Sequence, residues 1–278
     1  MRSKLIKIMS LVLLTILTTS ACAPQALPTP TTAPTETAAP KTLTVLAAAS
    51  LTDSFKEIGQ LFESQNPGVT VTFSFGGSQT LAQQLDQGAP ADVFASASKK
   101  YMDAAVTSMR VNQADSQTFV TNRLVVIFPK DNPAGLKTLQ DLAKPGLKLD
   151  LADKSVPVGQ YALDFLDKAL QDPTFDAKFK DNVLKNVVSS ETDVKAVLSK
   201  ISIGEADAGI VYITDFQVDA DKLGKLDIPD TLNTIATYPI APIADSKNAD
   251  LAKAFVALVL SPEGQAIMAK YGFVTVTP

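Results

Sequence analysis

From Lys41 onward, β-type runs hand over to helix-type periodicity at short intervals, and few folds can accept that alternation. TLTVLAAA (42 to 49) reads as a strand, and LTDSFKEIGQLFESQ (51 to 65) places Leu51, Phe55, Ile58, Leu61 and Phe62 on one helical face. VTVTFSF (69 to 75) alternates as a strand, and QTLAQQLDQG (79 to 88) reads as a short helix ending at Gly88. DVFASA and KKYMDAAVTSM repeat the pair. Further on, NRLVVIFP, LKLDLAD, KNVVSS and AGIVY supply strands, while QYALDFLDKAL and TDVKAVLSKI supply helices. Two helical runs close the chain, NADLAKAFVALVLS and PEGQAIMAKYG, with Ser261-Pro262 as stop and restart. The pattern predicts an α/β fold whose mostly parallel sheets are flanked by helices. No flexible linker interrupts 41 to 278, so any two lobes are joined by strands.

The segment ahead of Lys41 is of another kind. Residues 1 to 22, MRSKLIKIMSLVLLTILTTSAC, place Arg2, Lys4 and Lys7 before an apolar run from Ile8 to Leu17 and then small residues. That is the order of an export signal, and the run is too short to span a membrane. The single Cys of the chain, Cys22, falls where the small residues end. The segment resembles a bacterial lipoprotein signal, whose Cys carries the lipid; a departure is Thr19 where that pattern favours Leu. A plain secretory signal cut at the ACA triplet is the alternative. Residues 23 to 40, APQALPTPTTAPTETAAP, have the composition of an extended tether. At about 3.1 Å per residue such a segment reaches ~55 Å, which has a use only if something anchors its end.

Composition removes most chemistry. With no His among 278 residues there is no Ser-His-Asp or Cys-His couple and no imidazole base. One Cys allows no internal disulfide, and without His it leaves no zinc site of the common nitrogen and sulfur type. A formal charge of −4 gives no attraction to nucleic acid or to an anionic membrane. Only Arg110 and Arg123 remain beyond the signal to recognise an oxyanion with a guanidinium.

Four strand-to-helix turns share a property that could replace those cations. Ser50 follows three alanines before the first helix, and Ser78 lies in FGGSQT, where two glycines let backbone approach a ligand. VPVG (156 to 159) and SSETDV (189 to 194) open two later helices. In open α/β sheets such turns gather at the carboxyl ends of strands, where ligands bind. Each helix start presents free N–H groups and about half a positive charge, so four aimed at one point approach about +2 before screening. Hydroxyls and amides then suffice for a deprotonated tetrahedral dianion, which only accepts hydrogen bonds; an inward carboxylate would instead select a protonated species. Each feature also has a plain structural explanation. Ser50 or Ser78 alone reads as an N-cap, and Tyr212 alone reads as a core residue with a satisfied hydroxyl.

The runs AAASLTDSFKEI, FSFGGSQTLAQQLDQGAPADVFASAS, VPVGQYALDFL, SSETDVKAVL, EADAGIVYITD and SPEGQAIMAKYGF, in this order and spacing, resemble the periplasmic molybdate-binding proteins of ATP-binding-cassette importers. The resemblance covers essentially all of 41 to 278. It implies a two-lobed, type II periplasmic-binding-protein fold with one lobe of 41 to 122 plus 240 to 278 and another of 123 to 239, crossed twice by the chain. It implies that Ser50 and Ser78 donate hydroxyl and amide hydrogens, that Val158 and Val194 donate backbone N–H groups, and that Tyr212 donates its hydroxyl to molybdate or tungstate. Val158 departs from the Ala common in the family, which leaves the amide donor in place. The implied protein is a monomeric binding protein without cofactor or catalysis, held outside the cytoplasm by a lipid on Cys22, whose partner is the importer's permease.

Other readings stay open at this stage. Sulfate is smaller than molybdate, so cavity size decides between them, and phosphate would call for a carboxylate acceptor, with Asp53 and Asp193 near the turns but expected to point elsewhere. Iron(III) binding would need clustered Tyr and carboxylate ligands, and the five Tyr are dispersed. A carboxylate- or Lys-dependent hydrolase would need a pocket with paired carboxylates or an activated Lys, which no spacing singles out. A passive surface module would have no use for four such helix starts.

Overall fold

A computed structural model describes residues 41 to 276. The signal of 1 to 22 with Cys22, and the tether of 23 to 40, lie outside the described residues.

Strand β1 (Lys41–Ala48) is buried from Val45 onward because it has neighbours on both sides. It pairs in parallel with β2 (Val69–Gly76) and with β3 (Val93–Ala95). Helix α1 (Thr52–Gln65) connects β1 to β2, and α2 (Ser78–Asp86) connects β2 to β3. Phe55, Ile58 and Phe62 are the buried stripe of α1, as the periodicity predicts, while Leu51 packs from a short 3-10 turn, Ala49–Leu51, just ahead of it. The Phe55 ring lies 5.8 Å from Phe119 and 6.0 Å from Phe255, tying α1 to later parts of the chain. Each such buried ring contributes roughly 1.5–3 kcal/mol.

After α3 (Lys99–Thr107), strand β4 (Gln117–Asn122) ends the first passage through this sheet, and β5 (Leu124–Pro129) begins the second. There follow β6 (Leu149–Ala152), α4 (Pro157–Ala169), α5 (Phe179–Lys185), β7 (Val187–Glu191), α6 (Val194–Ser202), β8 (Ala208–Tyr212), α7 (Ile213–Val218) and β9 (Leu223–Asp227). The chain returns through β10 (Ala236–Pro242), α8 (Ala249–Leu260), α9 (Pro262–Lys270) and β11 (Val274–Thr275). The strand orders are β11-β4-β10-β3-β1-β2 and β7-β6-β8-β5-β9. Residues 236 to 239, placed with the second lobe by the expected boundary at 240, pair with β4 in the first sheet.

The expected parallel pairing holds for β1 with β2 and β3, and for β6 with β7 and β8. Both sheets are nevertheless mixed, because β5 runs antiparallel to β8 and β9, β10 runs antiparallel to β3 and β4, and the short β11 at the sheet edge also runs antiparallel to β4. The reason lies in how the chain arrives. β5 and β10 are entered directly from the other sheet, without a crossover helix, so each starts at the end where its neighbours finish and must run against them. Strand β10 carries Pro239 between two partners, and a register shift at Tyr238/Pro239 accommodates the missing N–H.

Candidate functional site

The carboxyl ends of the parallel strands converge on one small cavity. Ser50, Ser78, Val158, Val194 and Tyr212 all line it, joined by Ala48, Gly77 and Ala97. The cavity volume is about 10 Å3, the scale of one small occupant. No Lys or Arg contributes to the lining, and Asp193 is its only carboxylate.

Local structure decides which hydrogens remain free. Ser78 is the first residue of α2, whose N-cap is Gly77 and which has no side-chain cap, so its hydroxyl is not spent on its own helix. Its Oγ accepts from the Ala97 N–H at 3.0 Å, leaving the hydroxyl proton to donate. Gly77 is required here, since a Cβ would lie 2.5 Å from the Thr192 carbonyl oxygen. At α4, Pro157 occupies the first helical position and has no N–H, so Val158 offers the first amide. Gly159 lets that helix start seat against the end of β6, where a Cβ would come within 2.1 Å of the Asp153 oxygen. At α6, Asp193 Oδ1 accepts from the Lys195 and Ala196 N–H groups at 2.8 and 3.1 Å, which leaves the Val194 amide, one position earlier, outside the cap.

Tyr212 ends β8 with its side chain 1% exposed and its hydroxyl without any hydrogen-bond partner. Burial holds that phenol protonated, well above its ordinary pKa. A buried, unpaired hydroxyl costs about 1–3 kcal/mol, so the fold retains a donor that a ligand would satisfy.

The structure therefore gathers all five predicted residues of the fold at one place, while Cys22 is outside the described residues. Asp53 and Asp193 are both engaged elsewhere: Asp53 Oδ2 accepts from Lys195 Nζ at 2.8 Å, and Asp193 caps α6. Residues that sequence reasoning missed close the cavity from outside or support it from behind. Lys195 reaches from the second-sheet side to Asp53 on α1 and lies 3.5 Å from the fully buried Asp215. Burial pulls the Lys195 ammonium down, but Asp215 and Asp53 outweigh it and hold its pKa above the usual value. Gln79 Nε2 donates to the Thr192 carbonyl at 2.8 Å, and the Tyr101 hydroxyl donates to the Ser155 carbonyl, both between the two halves. Behind the pocket, Ser50 Oγ is 2.9 Å from the buried Tyr238 hydroxyl. None of these had a local signal, since each pairs residues far apart in the chain.

Two mixed α/β sheets, reversed at β5 in one and at β10 and β11 in the other, and a small cavity where their parallel strands end describe the two-lobed, type II periplasmic-binding-protein fold. The family model for bacterial extracellular solute-binding proteins matches residues 43–274, and the chain belongs to that family. It is 36% identical over 233 residues, 84% of each chain, to the molybdate-binding protein ModA of Mycobacterium tuberculosis H37Rv. Among solved structures, the Azotobacter vinelandii periplasmic molybdate-binding protein superposes with a TM-score of 0.72 at 21% identity, covering 84% of this chain and all of that one. The sulfate-binding protein SubI of M. tuberculosis superposes at 0.76 with 18% identity, covering 86% of this chain and 88% of that one. The fold is thus shared by proteins named for different oxyanions, and the choice of anion rests on the site.

Proposed function

We propose that this chain captures molybdate, and tungstate with it, in the cavity between its two sheets and delivers the anion to the permease of an ATP-binding-cassette importer. The observation that carries the reading is the buried, unpartnered Tyr212 hydroxyl in a cavity lined by helix starts and by no Lys or Arg. Ser50, Ser78 and Tyr212 would donate hydroxyl hydrogens, and Val158 and Val194 amide hydrogens. The helix starts supply the positive potential that the lining side chains lack. A fully deprotonated dianion satisfies every one of these donors, whereas hydrogenphosphate would bring a proton, and the one carboxylate of the lining, Asp193, already accepts two backbone N–H groups at the start of α6.

Each lobe of the proposal is one sheet with its helices. The anion closes them because donors from both reach it only together, and the Lys195–Asp53 and Gln79–Thr192 contacts are made in that closed arrangement. Capture and release need no bond making, and the proposed protein works as a monomer without cofactor or catalysis; a hydrolytic reading has neither paired carboxylates nor a lysine in the cavity to support it. A lipid on Cys22 and the tether of 23 to 40 would hold the domain outside the cytoplasm beside its permease. A lipid mass on Cys22 in mass spectrometry of the membrane fraction is the expected result, and a chain cut after the signal with a bare thiol would refute the anchor.

Titration calorimetry of the purified protein tests the anion. Molybdate and tungstate are expected to bind at about micromolar Kd or tighter, near −8 kcal/mol, with no heat from sulfate or phosphate at the concentrations that saturate the site with molybdate. Sulfate binding equal to or stronger than molybdate would overturn the assignment.

A further inference from the structure

Behind Ser50 runs a chain of buried polar groups whose direction can be worked out atom by atom. The Asn122 side-chain oxygen accepts from the Arg123 N–H at 2.9 Å, and its Nδ2 donates to Thr214 Oγ1 at 2.9 Å. That pair of contacts fixes the amide, since a flipped Asn122 would set its NH2 group against the Arg123 N–H. The same Nδ2 lies 3.4 Å from the Tyr238 hydroxyl, which can only accept from it. The Tyr238 hydroxyl is fully buried, and burial keeps it protonated, well above the ordinary phenol pKa. Its one proton needs an acceptor, and among the described residues Ser50 Oγ, at 2.9 Å, is the nearest hydroxyl oxygen placed to take it. Ser50 thus receives a hydrogen bond from behind, and its own proton has nowhere to go but forward into the cavity.

The Tyr238 ring cannot turn away from this duty. It is clamped edge-on by Tyr212 at 5.8 Å, Phe273 at 5.5 Å and Phe119 at 6.3 Å. The irregularity at Tyr238/Pro239 in β10 is of the kind that re-aims a side chain next to a site.

We propose that Asn122 and Tyr238 are positioning residues: through a one-way hydrogen-bond chain they hold Ser50 as an obligate donor, and so make the cavity reject oxyanions that carry a proton. The proposal rests on the reading of the cavity as an oxyanion site and adds to it the source of discrimination at one vertex. It goes beyond counting donors around the anion, because neither residue lines the cavity.

Two substitutions test it, with sulfate and hydrogenphosphate competing against bound molybdate at a pH where both competitors are dianions of similar size. Asn122→Asp replaces the donor behind Tyr238 by an acceptor that Thr214, Tyr238 and the Arg123 amide can all satisfy. Tyr238 then donates backwards, and Ser50 is free to accept a proton from the ligand. Its added charge acts alike on the two competitors and cancels in their ratio. The preference for sulfate over hydrogenphosphate is expected to fall about tenfold in Asn122→Asp, the size of one hydrogen bond to a charged group. Tyr238→Phe keeps the ring and removes the proton. It is expected to weaken molybdate about tenfold and to narrow the same ratio, and it carries the test should Asn122→Asp fail to fold. A parent protein that binds molybdate, with folded variants that keep both its affinity and the sulfate to hydrogenphosphate ratio, would overturn the relay alone. A parent that binds none of these anions would overturn the oxyanion reading and the relay with it.

Discussion

Ser78→Asp leaves a folded protein that no longer binds molybdate. Ser78 is 1% exposed and opens α2, so an acidic side chain there meets the positive end of the helix, a placement usually worth 0.3–1 kcal/mol in favour of the fold. It also keeps an acceptor for the Ala97 N–H that Ser78 Oγ now accepts. The same carboxylate stands beside the proposed dianion. Two unit charges about 4 Å apart repel by ~4 kcal/mol at an effective dielectric constant near 20, and a dianion doubles that. The affinity loss therefore exceeds about 10³-fold, which is ~4 kcal/mol. Calorimetry should show no molybdate heat while the free protein keeps a cooperative thermal melt, the helix-start gain offsetting part of the cost of desolvating the new carboxylate. Ser78→Ala, which removes one donor without adding charge, should lose only about tenfold. Binding by Ser78→Asp within tenfold of the parent would place the anion somewhere else.

Lys195→Met is expected to be the most destabilising of these changes, and its cost should depend on pH in a stated direction. Asp215 is fully buried, accepts the Tyr212 N–H at 3.3 Å, and has Lys195 Nζ at 3.5 Å. Burial pushes its carboxyl up to about 6, with Lys195 the main opposing influence. An acid whose folded pKa lies above its unfolded value near 3.9 stabilises the fold when protonated. That contribution is full below about pH 4 and is lost as pH rises through about 6. Without Lys195 the folded pKa climbs further, and the ionised carboxylate at higher pH has no counter-charge. Breaking a buried pair costs about 3–5 kcal/mol; with Lys195 about a quarter exposed, we expect ~2–4 kcal/mol near pH 8. Urea melts near pH 5 should show a clearly smaller penalty, because Asp215 is then largely protonated. A penalty equal at both pH values would show that Lys195 contributes packing rather than charge.

Much of this architecture can be read before any coordinates, and the reasons are local. Pro157 followed by Val158, Gly77 followed by Ser78, and Asp193 followed by Val194 are helix starts that announce themselves within a few residues, so these turns are within reach of pattern alone, whereas Tyr212 enters only through the family resemblance. Strand polarity is not within that reach. A continuous apolar run identifies β5 as a strand but says nothing of its direction, which follows from its being entered from the other sheet. β4 hides because QTFVTN shows neither clean alternation nor a continuous apolar run. β10 hides because Pro239 and Pro242 read as breakers, and only the register shift against β4 explains how they are borne. Tyr238 and Asn122 are 116 residues apart, and Lys195 and Asp53 are 142 apart. No window along the chain contains such pairs.

The place of β10 also bears on how the molecule is made. It lies in the middle of its sheet, between β3 and β4, yet it is among the last strands to leave the ribosome and cross the membrane. β1, β2 and β3 are synthesised more than a hundred residues earlier, and the flank of β3 meant for β10 stays unfilled until residues 236 to 242 arrive. An open, apolar strand edge is the surface through which newborn chains pair with one another. The interval between emergence of β3 and of β10 is therefore the time of greatest exposure to misassembly, and pairings of such high contact order form slowly. A nascent chain of this design carries that open edge until its final segment is delivered.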